Sequence, residues 1–201
     1  MNILWMLVCI VLAYVIGSIP TGWIVARAYG INIRQQGSGN IGATNVLRSV
    51  GKLPAAIVVL ADPLKALLTV IIAQRLSDNP WFICATALAA ILGNSFSLFL
   101  RFRGGKGVAT SFGAFTPIDS VTTLFAFLLA AFGMYLGRMV SLAVLIAIFA
   151  SIFFHYLSGF HPASLILVIC ICLLSIYNHR TNIERLKLGT ESRLGGSAKS
   201  E

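Results

Sequence analysis

Residues 3–26 decide the fold class, because they read ILWMLVCIVLAYVIGSIPTGWIVA and contain no charged side chain. About 20 apolar residues suffice for a helix to cross the hydrocarbon core of a bilayer. Four more stretches near this length and one shorter stretch follow, at residues 53–73, 81–100, 120–136, 139–157 and 163–177. We therefore predict an all-α fold, a polytopic bundle of membrane helices that forms one domain over residues 1–201.

The composition also indicates a membrane protein. Of the 201 residues, 58% are hydrophobic and 10% are charged, and the mean hydropathy is +0.90. A soluble domain of this size has too little interior to hide that much apolar surface, so lipid is expected to cover the rest. The net charge of +9 is spread over several loops without interleaved aromatic residues, and we therefore expect no nucleic-acid partner.

Basic residues near the ends of the spans indicate the orientation, because Lys and Arg collect in cytoplasmic loops. With the N-terminus outside, three crossings place the loops at about residues 28–52 and 101–107 on the inner side. One more crossing is needed to keep both Arg138 and the tail at residues 178–201 inside, and residues 108–116 are the candidate. We predict seven helices, one of them short, with a cytoplasmic C-terminus. Six spans with a cytoplasmic amphipathic turn are the alternative.

The loop at residues 37–45, GSGNIGATN, has the glycine spacing of a dinucleotide-binding fingerprint. That fingerprint needs a preceding strand, whereas an apolar membrane span precedes this loop. The glycines still allow successive backbone N–H groups to face one anion, and Arg48 downstream is suited to a bidentate phosphate contact. We predict a phosphate site rather than a merely flexible loop, with the candidates Gly37, Ser38, Gly39, Asn40, Gly42, Thr44 and Asn45.

A second basic glycine loop has the sequence Gly104, Gly105, Lys106 and Gly107. It lacks the spacing of a nucleotide-binding P-loop, so ATP hydrolysis is not indicated. Its glycines allow a close backbone approach, Lys106 brings a positive charge, and a helix that follows would point its N-terminus at the same anion. Two such loops on one face predict two phosphate groups, as two phosphorylated substrates would supply.

Polar residues also lie after the last span and inside an earlier one. His179 follows the last apolar stretch, where an imidazole can act as a general base or as a phosphate donor. Asp62 and Lys65 lie inside a span, where ionisable groups are costly and face protein or a polar cavity. We expect a structural pair or a contact from Lys65 to a substrate phosphate. The carboxylates are too dispersed for Mg²⁺, so we expect no metal and no cofactor.

Five motifs carry a resemblance that runs nearly end to end, at residues 17–22, 37–48, 102–110, 138–142 and 179–186. In these the chain resembles the bacterial acyl-phosphate:glycerol-3-phosphate acyltransferases, integral membrane enzymes of the first step of phospholipid synthesis. The resemblance implies transfer of a fatty acyl group from acyl phosphate to the sn-1 hydroxyl of glycerol 3-phosphate, giving lysophosphatidate and phosphate. It also implies the bacterial inner membrane as location, membrane lipids as neighbours and an upstream enzyme that forms acyl phosphate.

The resemblance assigns roles to residues that match the family motifs. It implies seven helices and a cytoplasmic site in which Ser38, Arg48, His179 and Asn182 are needed for activity, and we predict these four as catalytic. Residues 104–107 are implied to bind the phosphate of glycerol 3-phosphate. The further residues of the predicted site are Arg138 and Ser141, as substrate contacts, and Glu191, in a structural role.

One position departs from the family pattern. Asn94 stands where the family usually has His, and the Pro that shortly follows is also replaced. An amide cannot accept a proton at neutral pH, so an acid–base role at this position is in doubt. A divergent paralogue with an altered substrate is therefore one alternative. A membrane transporter of organic phosphates is another, since broken helices and anion sites are natural there too.

Overall fold

The computed structural model describes residues 2–193, which form ten α-helices and no strand. The helices are α1 (Ile3–Ser18), α2 (Thr21–Ala28), α3 (Ala43–Ser49), α4 (Lys52–Leu76), α5 (Pro80–Ser95), α6 (Val108–Phe115), α7 (Ser120–Gly137), α8 (Val140–Leu157), α9 (Pro162–Asn178) and α10 (Arg180–Lys187). Short 3₁₀ turns lie at Ile33–Gln35 and Leu98–Leu100. The predicted all-α class is confirmed.

Five helical segments are long and apolar enough to cross a membrane within the described residues: α1 with α2, α4, Pro80–Leu100, α7 and α8. A sixth would consist of α9 with α10, which are bent by 62° where they meet. Many large apolar side chains on these helices are exposed, including Leu60 and Phe149, as a lipid-facing surface requires. The polytopic membrane bundle is confirmed by these spans.

The short helix α6 has eight residues, and a helix of that length rises only about 12 Å, less than half of the hydrocarbon core. It packs against α4 and α5, and most of its side chains are buried. A Cβ at Gly113 would overlap the carbonyl oxygen of Pro63, so this glycine permits the close approach to α4. Shielding by protein is what a short segment at membrane depth needs. The count of seven crossings, which includes this helix, stays a prediction.

Local sequence signals explain where several helices begin. Asn79 accepts hydrogen bonds from the backbone N–H groups of the first turn of α5, and Pro80 occupies the first position of that helix. Asp119 accepts from the backbone N–H of Thr122 at the start of α7. Such N-cap contacts satisfy donors that the helix itself leaves unpaired. They define the start of two spans by short-range chemistry.

Two glycines allow α1 and α5 to approach closely. A Cβ at Gly17 would overlap the backbone of Ala90, and one at Gly93 would overlap the backbone of Tyr14. Small residues at such crossings are typical of membrane helix packing. The contact holds the C-terminal end of α5, which carries Asn94, against the broken region between α1 and α2.

The chain forms two compact units, one that ends at Ile118 and one that begins at Asp119. In the first, α1 and α4 pack against α5, and α2 and α3 pack against α4. Its buried apolar core beside the first glycine loop contains Ala26, Ile33, Ile41, Val46, Ala55 and Val58. In the second, α7 packs on α8 and α8 on α9. The single domain over residues 1–201 stays a prediction.

Candidate functional site

The first glycine loop is held in shape by Asn45, a side chain of α3 that is 3% exposed. Its Nδ2 donates to the carbonyl oxygens of Ile33, Gln36 and Asn40 at 3.3, 3.0 and 2.8 Å. Its Oδ1 accepts from the backbone N–H of Ser38 at 3.1 Å. One buried amide thus bonds to four backbone positions between residues 33 and 40, so Asn45 fixes the first part of the loop and the segment before it. Its predicted direct contact with substrate stays a prediction.

Backbone geometry explains the glycines of this loop. Gly37 and Gly39 have φ angles of 54° and 68°, in the left-handed region that other residues rarely adopt. Gly42 is the N-cap of α3, and its N–H donates to Asn40 Oδ1 at 3.3 Å. The loop therefore presents Ser38 at an exposed position, and Arg48 lies exposed one turn into α3. Thr44 and Asn40 are half-buried beside them.

The second glycine loop is attached to the end of α5. The N–H of Gly104 donates to Ser95 O at 3.0 Å, and the N–H of Gly105 donates to Asn94 O at 2.9 Å. A Cβ at Gly104 would overlap the Asn94 carbonyl oxygen. Gly104 is therefore needed for contact with α5, and the N–H groups of both glycines are already used. Lys106 is half-buried on this loop.

The structure brings the two glycine loops together. A Cβ built on Gly105 would lie 3.6 Å from Ile41 Cγ1 and 4.0 Å from Asn40 Oδ1, both on the first loop. Gly107, with φ of 78°, then turns the chain into the N-terminus of α6. The juxtaposition predicted from the sequence, two basic glycine loops on one face, is therefore present within the first unit.

A basic cavity of about 300 Å³ lies beside the second loop and was not predicted from the sequence. It is lined by Arg34, Leu100, Arg101 and Arg103. Arg34 donates from its guanidinium to the Arg103 carbonyl oxygen, which links the segment before the first loop to the segment before the second. Arg101 has a positive φ of 52°, unusual for a residue with a side chain. The run of arginines before Gly104 was a signal for this feature.

The charged pair inside α4 is hydrogen-bonded to the last turn of α5. Lys65 Nζ donates to Asp62 Oδ1 at 2.8 Å, to the Ile19 carbonyl oxygen at 2.8 Å and to Asn94 Oδ1 at 2.9 Å. Both members of the ion pair are largely buried. The ion pair that we expected is formed, and Asn94 is its third polar member. A contact from Lys65 to a substrate phosphate stays a prediction and would require Lys65 to exchange one of these acceptors.

In the second unit, the carboxylate of Glu191 is hydrogen-bonded to one residue of α8 and two residues of α10. Its carboxylate accepts from Ser141 Oγ at 2.7 Å, from Asn182 Nδ2 at 2.6 Å and from Arg185 Nε at 2.8 Å. Burial by itself would raise the pKa of Glu191, but these hydrogen bonds and the charge of Arg185 hold that pKa below its usual value. The structure thus brings Ser141 and Asn182 together. The roles of all three residues in activity stay predictions.

His179 lies between α9 and α10 and is 3% exposed. Its Nδ1 pairs with the Ser175 carbonyl oxygen at 2.8 Å. Because a carbonyl can only accept, Nδ1 carries a proton, and the neutral ring has its lone pair at Nε2. Arg138 is exposed at the junction of α7 and α8, with φ of 54°. The general-base role of His179 and the substrate contact of Arg138 stay predictions.

Comparison with known proteins identifies the family. Residues 7–189 match the sequence profile described as Glycerol-3-phosphate acyltransferase. A protein of that name from Thermus thermophilus is 42% identical over 186 residues, 92% of this chain and 94% of the relative. One from Geotalea daltonii is 42% identical over 186 residues, 92% of this chain and 96% of the relative.

Solved structures match as well. The crystal structure of PlsY (YgiH), an integral membrane glycerol 3-phosphate acyltransferase, in its glycerol 3-phosphate form has a TM-score of 0.91 and 38% identity, and the match covers 94% of this chain and 96% of that one. Its lysophosphatidic acid form has a TM-score of 0.89 at 38% identity, with coverages of 94% and 95%. The matches cover both units and all five motifs. Because sequence and fold agree over nearly the whole length, this chain belongs to the glycerol-3-phosphate acyltransferase family.

Proposed function

We propose that this protein transfers a fatty acyl group from acyl phosphate to the sn-1 hydroxyl of glycerol 3-phosphate, giving 1-acyl-glycerol 3-phosphate and phosphate. The observation that carries the proposal is the junction of two glycine loops beside the half-buried Lys106, in a chain of this family. The related PlsY structure was solved in glycerol 3-phosphate and lysophosphatidic acid forms, which favours these as acceptor and product here too.

The reaction asks for positioning more than for covalent chemistry. An acyl phosphate is a mixed anhydride with a good leaving group. The sn-1 oxygen attacks the acyl carbon, the bond from that carbon to the phosphate oxygen breaks, and the phosphate leaves. Positive charges and fixed donors near both phosphates stabilise the charge that develops. The hydroxyl proton passes to His179 or to an oxygen of the leaving phosphate.

The two loops would divide the two phosphates between them. Lys106 and the loop around it hold the phosphate of glycerol 3-phosphate, in the part of the site next to α5. The exposed side chains of Ser38 and Arg48 hold the phosphate of the acyl donor, whose fatty tail lies among the apolar helices. Arginine suits this role because its planar guanidinium binds two phosphate oxygens at once.

The position of the basic loops supports the cellular location. Basic loops favour the cytoplasmic side, so we propose a multi-pass protein of the bacterial inner membrane with its N-terminus outside and its site inside. An acyl phosphate is both lipid-like and hydrolysable, so an enzyme that makes it nearby would supply the donor. The product carries one acyl chain and a phosphate, and it remains in the membrane for a further acylation.

The experiment is to supply glycerol 3-phosphate and one of three acyl donors to the detergent-purified protein. Palmitoyl phosphate, palmitoyl-CoA and palmitoyl carrier protein are compared by phosphate release and by formation of lysophosphatidate. We expect product with palmitoyl phosphate alone. Product with palmitoyl-CoA or the carrier protein would contradict the proposed donor. No product with any donor, together with uptake of glycerol 3-phosphate by proteoliposomes, would favour the transporter.

A further inference from the structure

The side chain of Asn94 lies against the second glycine loop. It belongs to the last turn of α5 and is 7% exposed. Its backbone carbonyl accepts from the Gly105 N–H, and its Nδ2 would lie 3.3 Å from a Cβ built on Gly105. Asn40 Oδ1 on the first loop is 4.0 Å from the same point. The amide of Asn94 therefore faces the place where the two loops meet.

Lys65 determines which end of this amide faces the loops. An ammonium group can only donate, so the atom of Asn94 that lies 2.9 Å from Lys65 Nζ must be the acceptor Oδ1. The N–H₂ group is then on the other side, an assignment that follows from the hydrogen-bond network. Lys65 has three N–H bonds and three acceptors, so the ammonium is fully used in holding this arrangement.

The Nδ2 group of Asn94 has no hydrogen-bond partner among residues 2–193. The residue is 7% exposed, so this N–H₂ group can donate to a partner from outside the protein, such as a ligand. Two nearby backbone donors are used, because the N–H groups of Gly104 and Gly105 bond to carbonyls of α5. An anion at this loop thus needs donors other than those two backbone groups, and the amide of Asn94 offers two N–H bonds.

We propose that Asn94 is a further substrate-binding residue, whose Nδ2 donates to a phosphate oxygen of the substrate held between the two glycine loops, and that Lys65 is the positioning residue that orients it. The proposal deepens the proposed function and rests on it. Both the acceptor and the acyl donor carry a phosphate, and KM measured separately for the two substrates tells which phosphate Asn94 binds. The departure at this position then replaces one hydrogen-bond donor by another and leaves turnover possible.

The test is Asn94→Asp, which keeps the size of the side chain and an acceptor for Lys65 but replaces the N–H₂ by an oxygen. The loss of a hydrogen bond to a charged group and the added repulsion should raise KM for one phosphate substrate by about tenfold or more. The substrate whose KM rises identifies the phosphate that Asn94 binds. If Asn94 serves only to bond with Lys65, both KM values and kcat stay unchanged, because the carboxylate of Asn94→Asp still accepts from Lys65.

Three variants complete the design. Asn79→Asp makes the same exchange at the exposed start of α5, where a carboxylate caps as well as an amide, and it should match wild type. Asn94→His should keep turnover, since a neutral imidazole can accept from Lys65 and donate at its other nitrogen. Asn94→Ala also removes the donor and leaves Lys65 two acceptors, so it provides the same KM comparison if Asn94→Asp does not fold.

A binding measurement separates this inference from the proposed function. Inorganic phosphate and glycerol 3-phosphate should each raise the Tm of wild type and of Asn79→Asp, because a ligand stabilises the state that binds it. At the same ligand concentration the shift should be smaller in Asn94→Asp, even if no acyl donor gives turnover. Equal ligand-induced shifts in wild type and Asn94→Asp, or unchanged KM values for both substrates, would overturn the role of Asn94.

Discussion

Single buried side chains organise the motif residues in both units. In the first unit, the side chain of Asn45 makes four hydrogen bonds with the backbone of residues 33–40. In the second, Glu191 collects hydrogen bonds from Ser141, Asn182 and Arg185. Each is almost completely satisfied by the protein, so each holds its neighbours in place. Ser38 and Arg48, which are exposed, are the side chains that we propose to hold the phosphate of the acyl donor.

Replacing Lys106 by Ala tests the residue on the second loop. We expect KM for glycerol 3-phosphate to rise by about tenfold or more, because the ammonium no longer neutralises the acceptor phosphate. Initial rates over a range of acceptor concentrations measure this. Lys187→Ala, which removes an exposed lysine at the end of α10, is the matched control. An unchanged KM for the acceptor in Lys106→Ala would contradict the assignment.

Contacts between elements have two sources in this fold. Glycines determine how closely α1 approaches α5 and how closely α6 approaches α4, because a Cβ at Gly17 or Gly113 would overlap the facing backbone. Buried polar groups link helix ends. Asp119 at the start of α7 pairs with His155 Nδ1 at 2.7 Å, and His155 Nε2 pairs with Ser164 Oγ at 2.9 Å. These three side chains connect α7, α8 and α9 at one end, opposite the end of α8 that carries Ser141 and the end of α9 that His179 follows.

Glu191→Gln tests the contact between the start of α8 and the segment after α10. Because folding lowers the pKa of Glu191, the ionised carboxylate stabilises the protein above the usual carboxyl pKa of 4.5, and this stabilisation is lost as the pH falls through the folded pKa. We expect Glu191→Gln to have a lower Tm than wild type at pH 7 and the difference to shrink in acid. Thermal unfolding of both proteins in detergent, from pH 7 down to below pH 4.5, measures this difference in Tm.

The control for this prediction is Glu184→Gln, which removes an exposed carboxylate on α10. It should leave the Tm close to that of wild type at every pH, because exposed charges contribute little to stability. A Glu191→Gln protein whose Tm equals that of wild type at pH 7, or whose deficit grows in acid, would show that the carboxylate does not stabilise this contact.

At the scale of the whole molecule, the number of crossings is the property that decides the topology. Within residues 2–193, five helical segments are long and apolar enough to cross a membrane, and the bent pair of α9 and α10 would be the sixth. Whether α6 crosses determines which side of the membrane everything after it occupies. The helix is too short to span unaided but is shielded by α4 and α5, so the seven-helix topology remains our prediction.

Cysteine labelling tests this topology. After the four native cysteines are replaced by Ala, single cysteines are introduced as Asp78→Cys, Ser158→Cys and Lys187→Cys and exposed to an impermeant maleimide in intact cells. We expect Asp78→Cys and Ser158→Cys to react from outside, and Lys187→Cys to react only after permeabilisation. With six spans, Ser158→Cys and Lys187→Cys would exchange behaviour while Asp78→Cys would not change. That pattern would show that α6 does not cross.

The sequence by itself determined the fold class, the main spans and the family, because these depend on apolar length, on glycine spacing and on motifs that are local in the chain. Residues 3–26 and the loop at residues 37–45 could be interpreted without any partner segment. The two units and the basic cavity beside Arg103 were not predicted, because they depend on which segments pack together.

Only the tertiary structure decided which polar side chains are bonded within the protein and which remain exposed in the predicted site. The sequence placed both Asn45 and Ser38 in the predicted site, the first as a substrate contact and the second as catalytic, yet Asn45 is buried in a hydrogen-bond network and Ser38 is exposed. It offered Asp62 and Lys65 as a pair but not their link to Asn94, which lies 29 residues further along the chain. A side chain's partners depend on neighbours that are distant in sequence, and burial makes every unsatisfied donor costly. Close packing therefore gives the Asn45 amide four partners within the protein and leaves the amide of Asn94 facing the loops.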